Sequence, residues 1–312
     1  MGVFVFLPLV LPLTAWPIAR LAEQHLHPRA ATWLLTTVAG VLAVCSTLCL
    51  ALLVVVGTAQ LPGNPLPDGW SDPEVRAAVP YDELAGKAAI PALIAVLAAG
   101  TRTAWHHHRV RRRAERALAG LPPVAADPVA ILPDPAPYAY ALPGRAGRIV
   151  VTTGMLAELD ASERRALLAH EGAHLAARHH RFLLTVRLAA RANPFLRPLG
   201  TAVAYTAERW ADETAADAVG SRRTVARAVG KAALVSRAAP MGAFPGFATA
   251  GPVPRRVAAL LGPAPAARLW PPAFTTAGLA AWGAAAGTTV SALSSANSAF
   301  TLFFILKAAT PM

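Results

Sequence analysis

From Thr32 to Thr58 the sequence carries no charged side chain, and this run constrains the fold more than any other feature. A helix rises about 1.5 Å per residue, so some 20 apolar residues (about 30 Å) are enough to cross the hydrocarbon of a bilayer. The run exceeds that length. Three further apolar stretches accompany it, from about Val3 to Ala19, Leu84 to Trp105 and Ala277 to Leu306. The first lacks a positive leading segment, which argues against a cleaved secretory signal. The third is bounded by Lys87 and Arg102, whose long side chains can reach the interface. The last is rich in Ala, Gly, Ser and Thr, residues that let membrane helices pack closely, and it ends on Phe300, Phe303 and Phe304, which suit lipid. The pattern predicts about four membrane helices.

Composition agrees with that reading. Only 15% of the residues are charged and 55% are hydrophobic, against about 25% charged in an ordinary soluble domain. The formal net charge of +12 could serve nucleic acid, anionic lipid or topology. There is no zinc-finger spacing and no basic stripe interleaved with aromatics, so nucleic acid is not expected as a partner. The charges instead follow the apolar runs. The loop of residues 59–87 holds Asp68, Asp72, Glu74, Asp82 and Glu83 against Arg76 and Lys87, whereas Arg109, Arg111, Arg112, Arg113 and Arg116 follow the third stretch. The positive-inside rule then places that loop outside and residues 106–275 in the cytoplasm of a multi-pass cell-membrane protein, with both termini outside. Residues 1–105 would form three spans with an extracytoplasmic loop at about 59–83, and residues 276–312 a fourth span. His106, His107 and His108 diverge around a helix and read as juxtamembrane residues rather than a metal site. Cys45 and Cys49 read as small packing residues in a span.

The cytoplasmic segment is read as α+β, within a chain that is mainly α. Residues 117–136 are a connector rich in Pro and Ala. Three short strands are expected at Val129–Leu132, Tyr138–Leu142 and Arg148–Thr152, the last two joined by a hairpin loop at Pro143–Gly147. A helix capped by Ser162, with Glu163 in its first turn, runs to about His180. Gly172 in its middle costs about 1 kcal/mol relative to Ala and suggests a close approach there. An amphipathic helix at Phe182–Leu196, interrupted by Arg187, Arg191 and Arg197, is expected to lie on the domain or the membrane surface. A further helix covers Leu199 to Val219.

His170-Glu171-Gly172-Ala173-His174 is an H-E-x-x-H sequence. Residues i and i+4 stand one above the other on a helix, so both imidazoles face one point. That is what a tetrahedral zinc ion asks of two ligands, and the intervening Glu171 is the candidate general base. On the later helix Glu208 and Asp212 share a face. Glu208 can complete a His₂Glu ligand set, and Asp212 can hold the free imidazole nitrogen of a ligand histidine. The plain alternative for Glu208 is a solvated acid beside Glu213 and Asp217. His179 and His180 fall off the metal-facing line at i,i+5 and read as surface or interhelical residues.

In this order, strand, hairpin, H-E-x-x-H helix and E-x-x-A-D helix between apolar spans resemble the integral-membrane gluzincin metallopeptidases. The stretch from Tyr140 to Gly154, Y-A-L-P-G-R-A-G-R-I-V-V-T-T-G, is similar to the segment preceding the zinc helix in those families. The beta-lactam-sensor antirepressor peptidases are the nearer likeness, and the heat-shock membrane protease and CAAX prenyl endopeptidase group is related. The resemblance implies a zincin domain, a Zn²⁺ cofactor and a protein or peptide substrate, such as a regulator or repressor. The sensor group carries a ligand-binding domain after its last span; here Met312 follows shortly, so a separate sensor or regulator protein is an expected partner. Prenyl endopeptidases often show His-Pro before an arginine near the end of the domain. In Gly251-Pro252-Val253-Pro254-Arg255-Arg256 only the arginine is kept, which makes Arg256 a candidate for stabilising the oxyanion or contacting substrate.

The chemistry expected is zinc-dependent endopeptidase hydrolysis. Glu171 takes a proton from water and later delivers it to the leaving amine, while Arg148–Thr152, if an edge strand, holds the substrate extended. The competing readings are an intramembrane protease, disfavoured by Glu163, Arg164, Arg165 and Arg178 on the motif helix, and a non-catalytic membrane signalling or scaffold protein. The second is disfavoured by Glu171, because a structural zinc site has no use for a base.

Overall fold

The computed structural model describes residues 2–61, 63–64, 66–73, 75, 82–118, 129–144, 147–238, 252–266 and 268–310. Glu74 and Arg76 of the acidic loop, residues 119–128 of the connector, Arg145 and Ala146 of the hairpin loop, and Gly251 lie outside the described residues. The fold is mainly helical with one small sheet.

Among the described residues three helices are long and apolar enough to cross a membrane, and they lie in the second, third and fourth apolar stretches. The first stretch is not one helix. It breaks into a 3₁₀ turn at Gly2–Val5, helix α1 at Leu7–Val10, a second 3₁₀ turn at Leu11–Thr14, and helix α2 at Ala15–His25. The cause is proline: a ring at position i removes an N–H and clashes with the carbonyl at i−4. Pro8 so frees the carbonyl of Phe4, and Pro12 frees that of Pro8. Ser294 Oγ donates to Phe4 O at 2.7 Å, and Ser46 Oγ donates to Pro8 O at 2.7 Å. Asn193 Nδ2 donates to Leu9 O at 3.3 Å. An irregular backbone survives among apolar helices only where side chains satisfy it in this way.

Helix α3, Pro28–Ala59, starts on Pro28 and takes its cap from His27. It lies against helix α4, Asp82–Leu118, at a contact of bare backbone: a Cβ on either Gly57 or Gly86 would collide with the main chain of the other. Helix α11, Thr276–Ala308, buries Ser291, Ser294, Ser295 and Ser298 on one side, and Cys49 Sγ meets Ser295 Oγ at 3.5 Å. Small residues in that line bring the helix axes close. Phe300, Phe303 and Phe304 stay exposed, and both cysteines are free and buried.

The sheet has strands β1 (Val129–Leu132), β2 (Ala139–Leu142) and β3 (Arg148–Thr152), in the order β1-β3-β2. β1 runs parallel to β3 with Val129 opposite Ile149; β2 runs antiparallel with Ala139 opposite Val151. β3 is therefore central. Both of its edges are taken, so it cannot receive an extended substrate, and the expectation that Arg148–Thr152 does so is overturned. At its end Thr152 Oγ1 accepts from Met155 N at 3.1 Å and caps helix α5, Thr153–Glu158.

Helix α6, Ala161–Ala176, follows. Asp160 caps it, two residues before the expected Ser162: its carboxylate accepts from the N–H of Ser162 and Glu163, while Glu163 reaches back to the N–H of Asp160 at 3.0 Å. Asp accepts two backbone bonds at once, as a capping box requires. The helix stops at Ala176 rather than His180, because Arg178 adopts a left-handed conformation (φ 54°) and a new helix, α7 (His179–Ala192), begins. A Cβ on Gly172 would meet only Ile149 Cδ1, at an ordinary 3.8 Å, so the close approach expected there is not found.

A 3₁₀ turn at Pro194–Leu196 leads into α8, Arg197–Val219. Helices α9 (Arg222–Ala238) and α10 (Val253–Leu261) complete the segment before α11. The α7–α8 hairpin packs on α3 through one apolar core: Leu35, Val38 and Leu42 meet Phe182, Val186, Leu199 and Val203. Burying each such side chain is worth about 1.5–3 kcal/mol. A hydrogen bond of 2.9 Å from Thr32 Oγ1 to Thr206 Oγ1 fixes the register. The helix that carries Glu208 is thus seated directly on an apolar, span-length helix.

Candidate metal centre

Four helices converge on one point. α6 supplies His170, Glu171 and His174; α8 supplies Glu208 and Asp212; α7 supplies His179; α10 supplies Arg256. His170 Nε2 lies 3.2 Å from His174 Nε2 and 3.5 Å from Glu208 Oε2, and His174 Nε2 lies 3.6 Å from Glu208 Oε1. Two bonds of about 2.05 Å at a tetrahedral angle put ligand atoms about 3.3 Å apart. The two imidazole nitrogens are spaced as a zinc ion would space them, each has a Glu208 oxygen at a similar distance, and one donor atom from each of the three residues lies within 4.8 Å of the others; two imidazoles and a carboxylate are a zinc donor set.

The outer partners orient the rings. His170 Nδ1 is 3.1 Å from Asp212 Oδ1. Asp212 is wholly buried and held by Arg256, whose Nε and Nη2 donate to its two oxygens at 2.9 and 2.6 Å. A third guanidinium nitrogen, Nη1, reaches Glu208 Oε2 at 2.8 Å. Arg256 is thus engaged with two buried carboxylates.

Of the two readings given for His179, surface or interhelical, the structure shows the second; what sequence reasoning missed is its place behind His174. His179 is 1% exposed, not a surface residue, and its Nδ1 lies 2.8 Å from His174 Nδ1. Its ring rests on Trp210, with centroids 4.7 Å apart. The i,i+5 argument assumed one continuous helix, whereas the left-handed Arg178 ends α6 and turns the chain back over the site. The legible signal was a second histidine pair directly after the motif, at a place where the apolar period breaks.

The charges form a trap for a cation. Burial alone would keep His170 neutral, yet Asp212 and Glu208 outweigh it and raise its pKa to about 10. Burial would raise Glu208, but His174 and Arg256 hold it well below the ordinary carboxylate range. Asp212 is likewise lowered, its burial outweighed by hydrogen bonds from Arg256 and His170. His179 is pushed down to about 3, by burial first and then by His174, so it stays neutral. Two carboxylates and one guanidinium leave one net negative charge, which draws a proton when no metal is present and a dication more strongly.

Glu171 is half-buried and makes no hydrogen bond or ion pair among the described residues. Its carboxylate is uncommitted, unlike those of Glu208 and Asp212. His106 and His108 are exposed at the far end of α4, and His107 is half-buried, so the three do not converge.

The model of one protein family, peptidase family M48, matches residues 101–188. The matched stretch includes the sheet, His170, Glu171, His174 and His179, and it stops before Glu208. No curated protein and no solved structure matches the chain.

Proposed function

We propose that the protein is a membrane-bound zinc metalloendopeptidase that hydrolyses peptide bonds of a protein substrate. The observation that carries the reading is the convergence of His170 Nε2 and His174 Nε2, 3.2 Å apart, on the Glu208 carboxylate, whose two oxygens lie 3.5 and 3.6 Å from them, backed by ordered outer partners. The similarity of residues 101–188 to peptidase family M48 supports it. His170, His174 and Glu208 would hold the ion. When bound, zinc supplies a Lewis acid that polarises the scissile carbonyl and acidifies water.

The chain's own residues do the rest. Asp212 and His179 lie against the Nδ1 sides of the two imidazoles, which leaves both Nε2 lone pairs to hold an ion when one is bound. Arg256 fixes Asp212 and steadies Glu208. Glu171 takes the proton of the attacking water and returns it to the leaving amine, and a carboxylate with no hydrogen bond or ion pair among the described residues suits a group that must gain and lose a proton. The same freedom argues against a purely structural zinc site. The arginines following Trp105 favour a cytoplasmic catalytic segment.

Glu171→Gln keeps the shape and removes the base. We expect loss of at least about a hundredfold in peptide-bond hydrolysis, the scale of general-base catalysis, with zinc retained. Wild-type turnover by this variant would remove the mechanism.

A further inference from the structure

Ile94, Leu97, Ala98, Thr101, Arg102 and Trp105 line an open groove along the exposed side of α4. The most apolar window of this helix is only 11% buried within the protein. At about 100° per residue, Ile94, Ala98, Trp105, Arg109, Arg112 and Arg116 fall on one stripe. The apolar wall therefore passes through Trp105 into a ladder of guanidiniums. Arg109 lies over the Trp105 ring, 4.9 Å from its centroid. Glu115 is the single acid between Arg102 and Leu118, and Arg111 takes it at 3.1 Å. Arg102, Arg112, Arg113 and Arg116 have no ion pair or hydrogen bond among the described residues.

We propose that this face of α4 binds an anionic glycerophospholipid, with an acyl chain along the groove and the phosphate between Arg102 and Arg109. The charge selects the occupant. A second copy of the chain would bring the same arginines to the contact and repel, and a zwitterionic headgroup would find, between Arg102 and Leu118, only the Glu115 carboxylate that Arg111 already holds. A phosphate at the border marked by Trp105 meets both requirements, an apolar wall below and unpaired guanidiniums above. The site is separate from the metal centre and does not depend on hydrolysis.

The test uses the full chain in phosphatidylcholine nanodiscs containing a minority of phosphatidylglycerol, with the lipids that co-isolate counted by native mass spectrometry. Phosphatidylglycerol should be enriched on the wild type. Each arginine near a bilayer surface changes anionic-lipid binding about fivefold, so Arg102→Gln/Arg109→Gln should lose the enrichment by tenfold or more. Arg165→Gln/Arg223→Gln, equal in charge and placed elsewhere, should retain it. Unchanged helicity and elution show that both variants fold. No enrichment on the wild type overturns the proposal, and so does an equal loss in the control pair, which would mean net charge rather than a site. A dimer cross-linked through the Trp105 face would also overturn it.

Discussion

Replacing His179 by alanine tests whether the outer partners of the ligands govern metal affinity. For His174 to aim a lone pair from Nε2 at the ion, its proton must sit on Nδ1, so Nδ1 donates and His179 Nδ1 accepts across 2.8 Å. Alanine leaves that N–H without its acceptor where His179 is 1% exposed. An orphaned buried donor costs about 1–3 kcal/mol. At about 1.4 kcal/mol per tenfold, that is roughly 5- to 150-fold in the zinc dissociation constant. The range agrees with the 10–100-fold typical of residues that hold a ligand histidine. Competition against a chromophoric chelator in detergent reads the change. His179→Asn offers a carbonyl oxygen at a similar reach and should recover most of the affinity. A change under about threefold in His179→Ala, or no recovery in His179→Asn when both variants are folded, would refute the reasoning.

Three further outcomes follow from the charges. Arg256→Met strips two hydrogen bonds from Asp212, at 2.9 and 2.6 Å, and an ion-pair contact of 2.8 Å from Glu208, both buried carboxylates. Leaving buried charges uncompensated costs about 3–5 kcal/mol, so the thermal midpoint of the metal-free protein should fall by on the order of 10 °C. Zinc should restore much of that loss in a thermal-shift assay. Because the His170 pKa is raised to about 10 without metal, zinc binding near pH 8 should release about one proton, measurable by calorimetry in buffers of different ionisation enthalpy. By the same linkage, the stability contributed by the His170 imidazolium is fully present below about pH 6.5. It is lost as pH rises through about 10.

Much of this architecture could be read from local chemistry. Strands Val129–Leu132 and Arg148–Thr152 and the helix ending at Val219 stand where pattern and turn residues put them, because short β-branched runs and a capped apolar period are local signals. The helices holding the second, third and fourth apolar stretches were legible for the same reason. The first stretch misled because hydropathy does not register what Pro8 and Pro12 do to the backbone. Their freed carbonyls are satisfied by Ser294 and Ser46, remote in sequence. The strand order was equally out of reach: a hairpin of β2 and β3 does not reveal that β1 closes the other edge of β3. At the metal centre, His170 and His174 followed from helical spacing alone. Arg256 and His179 depended on tertiary folding, one through a helix more than forty residues beyond Asp212, the other through the left-handed turn at Arg178.

The central claim is that His170, His174 and Glu208 form a zinc site, and metal content tests it most directly. Detergent-purified wild type should hold about one zinc per chain, and Glu208→Ala should lose it under the same preparation. A folded wild type that takes up no zinc on reconstitution, or a Glu208→Ala protein that binds as tightly as wild type, would contradict the account.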